Sequence, residues 1–213
     1  HTRTIAPASY APAMARWTMT EAVADLSARD DVFAGLVQRH GSMRFGAVRS
    51  DERFEVLARA IAYQQLNGRA AGTIWARVLD AVGSPLEADA VLACDPAMLR
   101  GCGLSASKVA ALTDLAAHEA DGRLGLGSIA RLDDDAVIER LVRVRGIGPW
   151  TAQIFLLSAL RRPDVWPTGD YGVRVGFGRA WMGGRTPDAS ELAAMGERFR
   201  PWRSVVAWYC LSL

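Results

Sequence analysis

At 213 residues and 23.0 kDa, half of them apolar, the chain can bury a sizeable core, which excludes wholesale disorder. A formal net charge of +2 neither demands nor excludes a nucleic acid partner, because the footprint of such a partner is local. Three cysteines at wide, unmatched spacing (Cys94, Cys102, Cys210) exclude a metal cluster and a disulfide framework, and no run is apolar for long enough to span a membrane.

Residues 1–19 carry two prolines, Pro7 and Pro12, and read as an extended lead-in. Thr20 is expected to cap a first helix through Ala24 and Leu26. A second helix begins near Asp30, with Val32, Phe33, Leu36 and Val37 on one face, and Gly41 stops it. Ser50-Asp-Glu-Arg-Phe54 looks like a further capped start. Phe54, Leu57, Ala58, Ile61 and Ala62 then form an apolar stripe at helical spacing. Gly68 interrupts, and Ala71 to Val82 is helical again.

Short helices are expected over Ala88–Cys94 and Pro96–Arg100, the second opened by Asp95-Pro96. Ser105 opens a helix to Ala120. Gly122 to Gly127 is a glycine-rich connection, and Asp133 to Val144 is amphipathic. A glycine turn follows, then a helix from Trp150 to Leu160, a loop with two prolines, and helices at Tyr171–Ala180, Asp188–Phe199 and Trp202–Leu213. Nothing alternates with period two for long enough to argue a sheet. The expectation is an all-α protein of about ten helices.

The turn Gly146-Ile147-Gly148 between two apolar helices has two readings. It is either a plain tight turn in a core or a patch of backbone N–H groups held out for a phosphate. Pro149 favours the second, since at the first turn of a helix its missing N–H costs nothing. The N–H groups of Ile147, Gly148, Trp150 and Thr151 would then point outward at a helix N-terminus, an anion site flanked by Arg143 and Arg145.

The stretch from Leu141 to Ala152 (LVRVRGIGPWTA) resembles the helix-hairpin-helix motif of the base-excision DNA glycosylase superfamily. Trp166 to Arg174 (WPTGDYGVR) resembles the segment that carries that superfamily's aspartate. Ala60 to Leu66 (AIAYQQL) is similar to its helix with a glutamine pair, Gly103 to Lys108 to its glycine-to-lysine turn, and Pro201-Trp-Arg-Ser204 to the 3-methyladenine DNA glycosylase II branch. The likeness covers roughly residues 20 to 213. It implies two helical lobes around a central cleft, one from about 56 to 165 containing the hairpin 141–157, the other from 20–55 plus 166–213. It leaves no room for the additional N-terminal sheet domain of longer relatives.

The resemblance implies that the hairpin grips damaged double-stranded DNA through Arg145, Gly146, Ile147, Gly148 and Thr151. It also implies a sodium or potassium ion held by the backbone carbonyls of Val142, Val144 and Gly146, with no cofactor for catalysis. Gln65 and Leu66 take the corner that enters the minor groove and fills the gap left by an extruded nucleotide. An ordinary helix terminus explains the glutamines as well. Asn67 stands where the family commonly has serine, and Arg145 where it has proline.

Asp170 follows Gly148 by 22 residues. One reading is an N-cap for the next helix. The other, implied by the resemblance, is the carboxylate that stabilises positive charge on the sugar while the N-glycosidic bond breaks. Both can hold, and Asp164 is a poorer candidate. A flipped, electron-poor base suits aromatic faces, and Trp150 with Tyr63 and Tyr171 are the expected pocket walls. Trp75 reads as core, and Trp202 and Trp208 as core anchors or pocket.

In relatives that also cut the backbone, a catalytic lysine stands two residues after the second hairpin glycine; here that place holds Trp150. Among 24 arginines the one lysine, Lys108, is either a solvated helix residue or a phosphate contact. The resemblance thus implies a monofunctional DNA glycosylase for alkylated purines, without lyase activity and without an iron–sulfur cluster. A monomer in the cytoplasm of a bacterium is expected, with His1 lying inside a longer chain. A non-catalytic DNA-binding module, a glycosylase for oxidised, deaminated or mismatched bases, and a purely structural all-α protein are the alternatives. An open, aromatic-lined cleft beside Asp170 separates the enzyme from the binding module.

Overall fold

A computed structural model describes residues 17–41, 48–66 and 68–213. Most of the lead-in, residues 1–16, lies outside these, as do residues 42–47 and Asn67. The chain divides into two units, His1–Arg44 and Phe45–Leu213. Twelve α-helices and three 3-10 turns form among the described residues, with no β-strand.

In the first unit α1 (Met19–Arg29) and α2 (Asp31–His40) pack on each other, burying Ala22 and Leu26 from one and Phe33 and Leu36 from the other. The cap of α1 is Thr18, not Thr20. Thr18 Oγ1 accepts the Glu21 N–H, and the Glu21 carboxylate accepts the Thr18 N–H, a reciprocal box that Thr20 has no glutamate in register to make. Asp30 ends α1 and starts α2, its carboxylate accepting the Phe33 N–H at 2.8 Å.

The second unit opens with a 3-10 turn, Ser50–Glu52, that runs into α3 (Arg53–Tyr63). The five residues of the α3 stripe are the five it buries. After it come α4 (Gly68–Val82), α5 (Ala88–Ala93), α6 (Pro96–Gly101) and α7 (Ala106–Ala120). Gly68 does not break α4 but is its first residue. Helix α7 touches α3, α5 and α6, with Leu112, Leu115 and Ala116 inside.

Then come α8 (Asp134–Leu141) and α9 (Pro149–Ser158), packed on each other and joined by the hairpin; α9 also meets α3. Helix α8 stops three residues short of Val144, because its last turn gives way to the tight bends that lead into Gly146. Gly146 sits at φ +78°, the left-handed region that glycine adopts without a Cβ penalty.

The chain closes with α10 (Tyr171–Trp181), α11 (Ala189–Gly196) and α12 (Arg203–Cys210). α10 lies so close to the end of α12 that a Cβ at Gly176 would fall inside the carbonyl of Cys210. Beside this contact Trp166, Phe177, Trp181 and Phe199 form an aromatic cluster, with Phe177 and Trp181 stacked at 4.8 Å and Trp166 donating to the Leu192 carbonyl at 2.8 Å. The cluster and the glycine contact fix α10, and with it the residue that caps α10.

Candidate active site

Asp170 caps α10. Its Oδ1 accepts the Val173 N–H at 2.8 Å, and its Oδ2 accepts the indole N–H of Trp150. The residue is 7% exposed, so the carboxylate is held from both sides with a narrow opening to solvent. The capping reading of Asp170 is therefore true, and it leaves the other oxygen for Trp150. Gly172 permits this, since a Cβ there would stand 3.1 Å from Asp170 Oδ1.

Trp150 is the second residue of α9 and 48% exposed. Its ring lines a cleft of about 570 Å3 between α3 and α9, walled by Val56, Arg59, Ala60, Tyr63, Gln64 and Gln65 on one side and by Trp150, Thr151, Ile154 and Ser158 on the other. Trp150 and Tyr63 thus meet in one cavity, and Trp150 links it to Asp170. Tyr171, the first residue of α10, is 72% exposed beside Asp170 and is not part of the cleft wall.

Arg59 was not singled out by the sequence, yet it lines this cleft. Its guanidinium lies 4.9 Å from the centre of the Tyr63 ring and donates to the Tyr63 hydroxyl at 3.4 Å. The signal was present in the spacing, because Arg59 and Tyr63 are four apart on one helix and so share a face. Of the buried tryptophans, Trp75 is core as expected.

The hairpin differs from its simplest reading in one donor. The Ile147 N–H turns inward and donates to the Val144 carbonyl at 3.1 Å, with the Ile147 side chain 4% exposed, so Ile147 anchors the turn rather than offering an outward donor. No side chain caps α9, and its helical bonding begins with the Ala152 N–H on the Gly148 carbonyl. The N–H groups of Gly148, Trp150 and Thr151 are therefore the donors at this N-terminus. The Thr151 side chain is buried. Arg145 is exposed and its own N–H is fixed by Asp114 Oδ2 at 2.7 Å, a partner 31 residues away that has no local signature. Arg143 is paired with Glu139 at 2.6 Å.

One further residue is placed otherwise than expected. Lys108 does not reach out for a phosphate: its Nζ donates to the carbonyls of Ala62 at 2.9 Å and Gln64 at 2.7 Å, at the end of α3. Burial there pushes its pKa below the ordinary lysine value. Asp164 is taken by Arg203 at 2.7 Å and by Arg200, which pins the start of α12 to the loop before α10. Gln65 and Leu66 stand exposed at the mouth of the α3–α4 corner, Gln65 at φ +58° and Leu66 39% exposed. Gln64 turns back, its Nε2 donating to the Gly146 carbonyl at 2.9 Å.

The carbonyl donors for a singly charged cation can be judged from the same contacts. Val144 O accepts the Ile147 N–H and Gly146 O accepts Gln64, each keeping a second lone pair. A set of neutral carbonyls without a carboxylate suits a monovalent ion. Elsewhere a second groove of about 580 Å3 runs along α6 and α7 to Arg145, away from Asp170. No helix among the described residues is long and apolar enough to cross a membrane.

With this geometry in view, comparison with known proteins is informative. Residues 58–201 match the HhH-GPD superfamily base excision DNA repair protein family. The chain is 31% identical over 196 residues to DNA-3-methyladenine glycosylase 1 of Schizosaccharomyces pombe, covering 90% of this chain and 86% of that protein. It is 36% identical over 138 residues to the DNA-3-methyladenine glycosylase of Saccharomyces cerevisiae, covering 61% of this chain and 47% of that protein. In structure it matches the 3-methyladenine DNA glycosylase of Schizosaccharomyces pombe in complex with abasic DNA. The TM-score is 0.80 at 29% identity, over 90% of this chain and 95% of that one.

Proposed function

The chain belongs to the HhH-GPD superfamily of base excision DNA repair proteins, and we propose that it is a monofunctional DNA glycosylase for alkylated purines of the 3-methyladenine type. One observation carries this reading. Trp150 presents its ring to an open cleft and its N–H to a buried carboxylate, which joins a binding surface for a flat electron-poor ring to a fixed anion. A binding module has no use for an open aromatic cleft tied to Asp170. The relatives named above are 3-methyladenine glycosylases, which supports the same substrate class.

The chemistry follows from the parts. Hairpin donors at Gly148, Trp150 and Thr151, with Arg145, hold a phosphate and set the register on damaged duplex DNA. Extruding the lesion costs a few kcal/mol, and Gln65 and Leu66 fill the space it leaves. The extruded ring lies against Trp150, with Tyr63 opposite in the cleft and Tyr171 at the approach to Asp170. As the bond from the base to C1′ breaks, its electron pair leaves with the base and positive charge builds on the sugar. Asp170 stabilises that charge, orients the water whose oxygen bonds to C1′ and takes the proton that this water gives up. An alkylated base that starts cationic departs neutral, so little is asked of a general acid.

No amine stands at the hairpin to form a Schiff base, so the product is an intact abasic strand. The carbonyls of Val142, Val144 and Gly146 would hold a singly charged cation, whose contribution is charge against the phosphate. The protein acts as a monomer. A panel of duplexes, each with one defined lesion, tests the proposal: base release is expected from methylated purines, and strand cleavage only after alkali. Cleavage before alkali, or release confined to oxidised bases, would contradict it.

A further inference from the structure

A helix C-terminus leaves its last carbonyls without partners inside the helix. At the end of α3 those carbonyls are taken by a side chain from another helix: Lys108 Nζ donates to Ala62 O at 2.9 Å and to Gln64 O at 2.7 Å. Lys108 sits in the first turn of α7, where Ser105 Oγ caps the helix by accepting the Lys108 N–H at 3.3 Å, so its stem starts from a fixed point. Burial depresses its pKa, the mark of an ammonium withdrawn from water onto those oxygens.

The residues just beyond are held in an unusual shape. Gln65 adopts φ +58°, which a side-chain-bearing residue keeps only where its surroundings impose it. Gln64, whose carbonyl Lys108 holds, sends its own amide to the Gly146 carbonyl of the hairpin at 2.9 Å. A continuous run of hydrogen bonds therefore leads from α7 through the α3 corner to the hairpin glycine.

We propose that Lys108 is a positioning residue: by gripping Ala62 and Gln64 it holds the Gln65–Leu66 corner in its left-handed turn and, through Gln64, locks that corner to the hairpin. The wedge and the phosphate anchor then meet the duplex as one rigid piece. This rests on the reading of Gln65 and Leu66 as the groove wedge given above. It assigns the single lysine a task distinct from both a phosphate contact and a solvated surface residue.

The test uses the whole chain with Lys108→Met, Lys108→Arg and Gln64→Met. A duplex carrying 2-aminopurine beside a tetrahydrofuran abasic analogue reports insertion of the wedge by fluorescence. The salt dependence of binding reports phosphate contacts, and single-turnover release from methylated duplex reports chemistry. Lys108→Met is expected to lose most of the fluorescence change and to slow release by about tenfold or more, as misplacement of positioning groups does. Its salt slope is expected to match wild type. Lys108→Arg restores the signal, and Gln64→Met reproduces the loss.

A salt slope lowered by about one with the fluorescence intact marks a phosphate contact and overturns the proposal. Wild-type behaviour of Lys108→Met in both assays overturns it too. Should Lys108→Met fail to fold, Gln64→Met decides by the same readouts. If wild type releases no base from any lesion while Lys108→Met still loses the fluorescence change, the glycosylase reading fails and the positioning role stands.

Discussion

The indole N–H of Trp150 donates to Oδ2 of Asp170, joining the first turn of α9 to the first turn of α10 across 20 residues of chain. Oδ1 is engaged by the Val173 N–H, so the carboxylate has one fixed orientation. Trp150 serves twice, with a ring face in the cleft and a donor on the anion. The two uses can be separated.

Trp150→Phe keeps an aromatic face and removes the donor. Single-turnover base release is expected to fall by about 10- to 100-fold, the range set by loss of one positioning contact. Affinity for undamaged duplex should change little. An unchanged rate would mean that Asp170 needs no help from the indole.

Asp164→Asn separates the two aspartates. Asp164 holds Arg203 and Arg200 and touches neither the cleft nor Trp150. The substitution is expected to cost about 1–2 kcal/mol in urea unfolding, as the loss of charge-assisted hydrogen bonds does. Release per folded molecule should stay at the wild-type rate.

Arg145→Ala addresses the anchor. Its side chain is exposed beside the uncapped start of α9, whereas Arg143 is already paired with Glu139. Binding to all duplexes should weaken alike, with a salt slope lower by about one. Arg143→Ala should show less of both.

Arg59→Met addresses selectivity. The guanidinium holds one side of Tyr63 at 4.9 Å, so a cationic base entering the cleft meets a like charge. Removing it should raise the release of 7-methylguanine relative to neutral hypoxanthine. A ratio that stays constant across the panel would show that Arg59 faces the backbone instead.

Gly176→Ala tests the packing that carries Asp170 into place. The added Cβ meets the Cys210 carbonyl, which is backbone and cannot swing aside. A loss of about 2–3 kcal/mol in unfolding is expected, typical of overpacking.

What could be read from sequence follows from how local each cause is. The stripe Phe54, Leu57, Ala58, Ile61, Ala62 was legible because burial of a helix face imposes a 3.6-residue period, and α3 buries those five. The cap of Asp30 was legible for the same reason of locality. Thr18 carries a local signal too, since Glu21 follows it by three, whereas Thr20 has no glutamate in that register. Gly146 and Pro149 are legible as hairpin residues, because positive φ selects glycine and the first helical turn admits proline; Gly148 is the extended N-cap of α9 at φ −96°.

Contacts between distant segments left no local trace. The indole of Trp150 on Asp170, the Asp114 carboxylate on the Arg145 N–H and the Lys108 ammonium on α3 each depend on how helices pack. Lys108 shows the consequence: a lone lysine at a helix start invites a phosphate, and only the packed structure supplies the carbonyls that hold it instead.

The most direct measurement is base release by Asp170→Asn on duplex carrying a single methylated purine, with binding followed in parallel. Asparagine keeps the size and its one oxygen can still accept from Val173, while the negative charge and the second acceptor, which Trp150 uses, are gone. Binding is expected to persist and release to vanish, with no abasic site revealed by alkali. Release at a rate near wild type would contradict the role given to Asp170, and with it the chemistry built on the Trp150–Asp170 contact.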